Sequence, residues 1–207
     1  MSIICPTVLA AETHGFRDQM ERVAPLAPRL QIDLGDGEFT TQSVSPAQVW
    51  FPENLAVDIH FMFQRPLEHI ETLVSLKPSM VIIHAEASGD LRGMMEHLQG
   101  LGIQAGIALL PSTSVESTRS LIEVADHVLI FAGHLGSFGG NADMTQLDKV
   151  AEIKRLNSTV EIGWDGGANA SNVARLASGG IDVINVGSAI QRADDPIASY
   201  QYLNSLI

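Results

Sequence analysis

Cysteine is nearly absent, Cys5 being the only one in 207 residues. A lone thiol excludes an intramolecular disulfide framework and a cysteine-based metal cluster, and it points to a reducing, cytoplasmic setting. Basic residues are scarce too, with 12 Lys and Arg against 24 Asp and Glu and a formal net charge of −12. Such a chain repels a polyanionic backbone, and no Lys/Arg-rich stripe interrupts the acidic background, so nucleic acid is not an expected partner. No segment runs to membrane-spanning length without charge, and residues 1–6 lack the basic start and apolar stretch of a secretory leader. The expectation is a soluble, unprocessed protein with no membrane partner. Charged residues make up 17% of the chain and apolar residues 45%, which excludes a disordered polypeptide.

What the sequence does contain is alternation. Short apolar runs recur between longer amphipathic ones, the pattern of βα units and of a parallel sheet covered by helices. Eight runs read as strands: Ile3–Leu9, Leu30–Leu34, Ala56–Phe61, Met80–His84, Gln104–Leu109, His127–Phe131, Thr159–Gly163 and Val183–Gly187. Between them, Phe16, Met20 and Val23, then Leu67, Ile70 and Val74, then Met94, Met95 and Leu98 fall at helical spacing. Glycines at Gly102 and in Ser178-Gly179-Gly180 supply left-handed caps where a helix gives way to the next strand. No linker or repeat marks a boundary, so residues 1–207 are read as one domain. An open doubly wound sheet is the alternative for any βα alternation, but eight units in so short a chain favour a closed parallel (β/α)8 barrel, an α/β fold.

In a closed barrel the chemistry belongs at the C-terminal ends of the strands. There the chain carries Asp33 and Asp36, His60, His84 and Glu86, and Asp165. Singly, each is an ordinary turn residue or a satisfied structural histidine. Together, carboxylates converging on a barrel mouth suit removal of a proton from one face of a carbon and its return to the other. A proton beside a carbonyl gives an enediolate that needs positive charge near its oxygens, and Asp33, His60 and Asp165 form a partial ligand set for a divalent metal. Two glycine segments, Ser137-Phe138-Gly139-Gly140-Asn141 and Val186-Gly187-Ser188-Ala189, follow late strands, where backbone N–H groups and a short helix start can receive a phosphate.

In this order, Cys5-Pro6-Thr7-Val8-Leu9, Asp33 to Gly37, Asp58-Ile59-His60-Phe61-Met62, Ser137 to Gly140, Trp164 to Gly167 and Gly187-Ser188-Ala189 resemble the motifs of the ribulose-phosphate 3-epimerase family across essentially the whole chain. The resemblance implies a (β/α)8 TIM barrel of the ribulose-phosphate-binding type that interconverts D-ribulose 5-phosphate and D-xylulose 5-phosphate. It implies Asp33 and Asp165 as the acid/base pair, with Asp33, His60 and Asp165 as ligands to zinc, iron or manganese. It further implies that a phosphorylated sugar is held by Thr7, His60, Met62, Gly139, Gly140, Gly166, Gly187 and Ser188. Gln31, His84 and His134 are additional candidates at the mouth.

Three departures stand out. Gln31 occupies the position of a second metal-binding histidine, which reduces four protein ligands to three. Thr7 replaces a serine and keeps its hydroxyl. Gly35 replaces a methionine, and Gly136 begins a loop that elsewhere begins with proline, so part of an apolar cover over the substrate is expected to be missing. Two other readings use the same residues: an epimerase or isomerase of another phosphorylated ketose with weak or no metal dependence, and a non-catalytic sugar-phosphate-binding regulator. Barrels of this size often associate, which leaves a homo-oligomer open.

Overall fold

Runs rich in Val, Ile and Phe that are buried on both faces form the strands of a parallel sheet, where helices cover one face and the barrel interior the other. The computed structural model describes residues 1–133, 135 and 140–207. The strands are β1 (Ile3–Val8), β2 (Arg29–Gly35), β3 (Ala56–Met62), β4 (Met80–His84), β5 (Gln104–Leu109), β6 (His127–Phe131), β7 (Glu161–Asp165) and β8 (Val183–Val186). They pair in sequence order, all parallel, and β8 closes on β1 through Ile3↔Val183 to Pro6↔Val186. Among the described residues the helices are α1 (Thr13–Val23), α2 (Ile70–Leu76), α3 (Leu91–Gly100), α4 (Arg119–Ile122), α5 (Asp148–Leu156), α6 (Val173–Ser178), α7 (Ser188–Gln191) and α8 (Pro196–Asn204). No α-helix stands between β2 and β3, where a long loop contains only a 3₁₀ turn at Pro46–Gln48. No helix of the described residues is long and apolar enough to cross a membrane.

Phe16, Met20 and Val23 on α1, and Met94, Met95 and Leu98 on α3, are buried against the barrel wall as their spacing predicts. Of the stripe through Leu67, Ile70 and Val74, the last two pack against the core and the first does not. Leu67 sits in a 3₁₀ turn and is exposed, while Leu73 is the buried residue of α2. Three residues per turn instead of 3.6 shifts the angular phase before the α-helix begins. Gly102 and Gly180 adopt φ of 81° and 91°, the left-handed turns expected there.

The seventh strand also differs from its expected span of Thr159–Gly163, running instead from Glu161 to Asp165. Gly163 does not end it. A Cβ on Gly163 would come within 2.3 Å of His127 Nε2, so glycine makes room inside the barrel for the neighbouring strand's imidazole. Trp164 and Asp165 continue the ladder against Ile130 and Phe131.

The interior alternates with the outer face along each strand. Met80, Ile82, Ala108 and Leu129 form a small apolar cluster of their own, distinct from the large core under the helices. At the N-terminal end, near the strand starts, the filling is ionic. Arg29 donates from Nε to Asp58 Oδ2 at 2.8 Å and from both terminal nitrogens to Glu161 at 2.8 and 2.7 Å, while His127 Nδ1 lies 2.8 Å from Glu161 Oε2. Cys5 lies beside this cluster, and burial pushes its thiol pKa up, which makes it inert.

A bidentate arginine between two carboxylates is what such burial requires, since removing one partner strands the others' charge. Arg29→Leu is therefore expected to cost about 3–5 kcal/mol in urea unfolding at neutral pH, and a loss below about 1 kcal/mol would show that the cluster does not hold the barrel floor. Glu161 adds a pH signature. Burial opposes its ionisation, but hydrogen bonds from His127 and Arg29 prevail and bring its pKa from 4.5 to about 2. A carboxyl depressed in the folded state lends stability that is complete above 4.5 and is lost as pH falls through about 2. Glu161→Gln should flatten the decline of Tm across that window, and parallel curves for variant and parent would remove Glu161 from the explanation.

Candidate active site

The opposite, C-terminal end of the barrel collects the polar residues of the sequence motifs. Asp33 and His60 are cross-strand partners on β2 and β3, His84 ends β4 and Asp165 ends β7. His60 and His84 are fully buried and Asp33 nearly so, whereas Asp165 is half-buried. Gln31, two residues before Asp33 and on the same inward face, donates from Nε2 to Asp33 Oδ1 and to Asp165 Oδ2, both at 2.8 Å. His60 Nδ1 lies 3.1 Å from the same oxygen of Asp33 and 3.3 Å from the same oxygen of Asp165. Two nitrogens thus share two carboxylate oxygens.

Behind His60 runs a second line of contacts. His60 Nε2 is 2.9 Å from His84 Nε2, and His84 Nδ1 is 3.2 Å from Glu86 Oε2. Glu86 is anchored in turn by the Leu110 amide at 3.0 Å and by the Thr113 hydroxyl. Burial opposes a charged His60, yet its hydrogen bonds to Asp165 and Asp33 outweigh burial and raise its pKa to about 9. Burial takes His84 the other way, to about 4. The proton between the two rings therefore belongs to His60, and a neutral His84 accepts it on Nε2 while donating from Nδ1 to Glu86. Asp33 is held above the usual carboxylate range by burial and by the charge of Asp165, with hydrogen bonds from His60 and Gln31 offsetting part of the rise.

Phe39 and Phe131 cover the imidazoles, with ring centroids 4.8 Å from His84 for Phe39 and 6.0 Å from both His60 and His84 for Phe131. Neither residue was legible from the motifs. Phe39 arrives on the loop after β2, which folds back on the strand end through Ser43 N to Gly35 O at 3.0 Å and Gly35 N to Ser43 Oγ at 2.9 Å. A Cβ at Gly35 would stand 2.3 Å from Thr41 O, so this return path requires glycine. The missing methionine side chain is the condition for a loop that brings a phenylalanine over the site. Asp36 braces the same loop, accepting from the amides of Glu38, Phe39 and Gln64 at 2.8, 2.7 and 2.7 Å.

The other sequence candidates are distributed around this centre. Thr7 is buried on β1 beside Gln31, and its carbonyl accepts from Gln191 Nε2 of α7 at 2.9 Å. Met62 is the buried last residue of β3. Gly187 caps α7, which starts at Ser188 as the motif suggested, and Gly140 is exposed with φ of 99°. Gly139 and His134 lie outside the described residues. Gly166, with φ of 112°, packs so closely on the loop after β6 that a Cβ would sit 2.2 Å from Gly133 N.

The ligand atoms of Asp33, His60 and Asp165 all lie within 4.8 Å of one another, so these three residues form a group able to hold a metal ion. Fold and site together define a (β/α)8-barrel protein with a carboxylate–imidazole centre at the strand C-termini, the end at which such barrels carry their chemistry. A model of the ribulose-phosphate 3 epimerase family matches residues 3–191, and the chain belongs to that family. It is similar to a ribulose-phosphate 3-epimerase of Helicobacter pylori, 31% identical over 201 residues that cover 93% of this chain and 92% of the relative. Another of that name from Aquifex aeolicus is 26% identical, covering 100% of this chain and 97% of its own. Among solved structures, 3-hexulose-6-phosphate synthase from Salmonella typhimurium superposes with a TM-score of 0.74 at 16% identity, covering 99% of this chain and 97% of its own. KGPDC from Streptococcus mutans superposes at 0.77 and 10% identity over 100% of this chain and 97% of its own, a likeness of fold.

The contact of Gly166 with Gly133 gives a direct test of how the mouth is built. Gly166→Ala combines an unfavourable φ with overpacking and should cost about 1–3 kcal/mol in denaturant unfolding. A variant as stable as its parent would mean that the two loops part without penalty.

Proposed function

We propose that this chain interconverts D-ribulose 5-phosphate and D-xylulose 5-phosphate, with Asp33 and Asp165 as the acid/base pair. The observation that carries the reading is the sharing of Gln31 Nε2 and His60 Nδ1 by Asp33 Oδ1 and Asp165 Oδ2, which sets two carboxylates against each other across two shared nitrogens. In the reaction, one carboxylate takes the proton from the carbon beside the carbonyl and the other returns a proton to the opposite face. A buried carboxyl with a raised pKa, as at Asp33, is suited to holding that proton between the two steps. The intermediate is an enediolate, whose oxygens need hydrogen-bond donors and positive charge.

Two carboxylates and an imidazole are a donor set that divalent ions accept, so Asp33, His60 and Asp165 would hold zinc, iron or manganese. Such an ion would add positive charge beside the enediolate oxygens. The phosphate is assigned to the backbone of Gly139, Gly140, Gly187 and Ser188. The link from Gln191 to the Thr7 carbonyl supports this by tying α7 to β1 close to the reacting centre. Thr7, Met62 and Gly166 are assigned to the walls around the sugar. Phe39 and Phe131 exclude water from the side of the imidazoles.

Turnover of D-ribulose 5-phosphate in D₂O tests the reading, because a proton returned by a carboxylate exchanges with solvent and leaves deuterium in the product. Asp33→Asn and Asp165→Asn should each lower kcat by about 10²–10⁴ with a smaller change in KM. Product formation without solvent deuterium, or full activity in either variant, would refute the two-carboxylate mechanism.

A further inference from the structure

We propose that Gln31 acts as a positioning residue that takes the place of a metal ion, holding Asp33 and Asp165, together with His60 Nδ1, in their opposed arrangement so that the site is competent with or without a bound metal. The inference rests on the two-carboxylate reading and deepens it. Two like charges cannot be held face to face in a buried pocket unless positive hydrogen or an ion lies between them. Here Nε2 of one carboxamide reaches both inner oxygens at 2.8 Å, so each of its two N–H bonds serves one carboxylate. Those oxygens are the ones that face His60 Nδ1 at 3.1 and 3.3 Å, so Gln31 closes a four-membered ring of alternating nitrogen and oxygen. An amide nitrogen has no lone pair to give a metal. The side chain therefore stabilises the pair as a donor, which a ligand in the same place would not do.

The other end of the amide makes this arrangement compatible with an ion. Gln31 is fully buried, and its Oε1 has no hydrogen-bond partner among the described residues. Turned over, the carboxamide would direct that oxygen at two carboxylate oxygens, an arrangement that is stable only with a cation among them. One side chain thus offers a donor face to the metal-free pair and an acceptor face to a metal-bound one. A residue that merely filled the barrel would have its polar ends satisfied by the scaffold, and its replacement by an isosteric apolar chain would leave the pair undisturbed.

The test compares the parent with Gln31→Met, which keeps the volume and removes the N–H groups, and Gln31→Glu, which keeps the shape and replaces the donors with a third carboxylate. Each is stripped with chelator and then followed by electron paramagnetic resonance of free Mn²⁺, by Tm, and by turnover of D-ribulose 5-phosphate in chelator and in saturating Mn²⁺. The parent should keep its kcat within about threefold between the two conditions, while Gln31→Glu should fall by about 100-fold in chelator, recover with Mn²⁺ and bind the ion about tenfold tighter. Gln31→Met should lose turnover in chelator with KM little changed. A parent that dies in chelator and revives with Mn²⁺, or a Gln31→Glu variant that matches it in chelator, would overturn the proposal. If the parent is inactive in both conditions the epimerase reading fails, and the clamp is then judged on binding and Tm alone. Stripped Gln31→Glu must melt below the parent and be restored by Mn²⁺, and equal melting would sink the clamp.

Discussion

The repulsion between Asp33 and Asp165 is the constraint around which the upper half of this barrel is organised. Two unit charges about 4 Å apart at an effective dielectric of about 20 repel by about 4 kcal/mol. Each hydrogen bond to a charged group returns about 1.5–3 kcal/mol, and the ring formed with Gln31 and His60 contains three of them, with His60 Nδ1 a longer 3.3 Å from Asp165. The donors hold the pair together, while burial and the charge of Asp165 still leave the Asp33 pKa raised. Neighbouring features serve that outcome: burial of the imidazole, the aromatic rings over it, and the glycines that let loops close on the strand ends.

The two ends of the barrel solve the same problem of buried charge in different ways. At the floor, Arg29 lies between Asp58 and Glu161 with a full fork of donors, and Glu161 is driven toward permanent ionisation. That arrangement is closed, since the arginine cannot give up its proton, and it suits stability. At the mouth the donors are an amide and an imidazole. Asp33 is raised in pKa, not lowered, and Asp165 is only half-buried. In the proposed reaction a carboxylate accepts and returns a proton, and that role calls for weaker partners than an arginine.

Much of this was legible in the chain itself, because apolar runs bounded by glycine and polar residues specify parallel strands, and a barrel then dictates which residues share its mouth. Asp33, His60 and Asp165 converge as expected. Three things were hidden. The end of β7 was misjudged because Gly163 looks like a terminator, whereas the cause of that glycine is an imidazole on the adjacent strand, 36 positions earlier in sequence. Gly35 read as the loss of an apolar cover, while the fold uses it to bring Phe39 into that role along a path no local pattern encodes. Gln31 read as a lost ligand, since sequence specifies a residue's chemistry without saying which end of an amide faces inward.

The line from His60 through His84 to Glu86 explains why the imidazole can serve the carboxylates at all. A histidine offers two nitrogens, and a ring free to turn would present either of them. Here Nε2 is engaged by His84, whose own Nδ1 is engaged by Glu86, whose second oxygen is engaged by the backbone amide of Leu110. Each link fixes the donor or acceptor role of the next, so a main-chain N–H at the end of β5 determines which nitrogen of His60 reaches Asp33 and Asp165. The pKa values of about 4 at His84 and about 9 at His60 agree with that direction, because a neutral ring behind a charged one is the distribution in which each N–H along the line has an acceptor. Glu86, only partly buried, thus reaches the Asp33–Asp165 pair through two imidazoles without touching it.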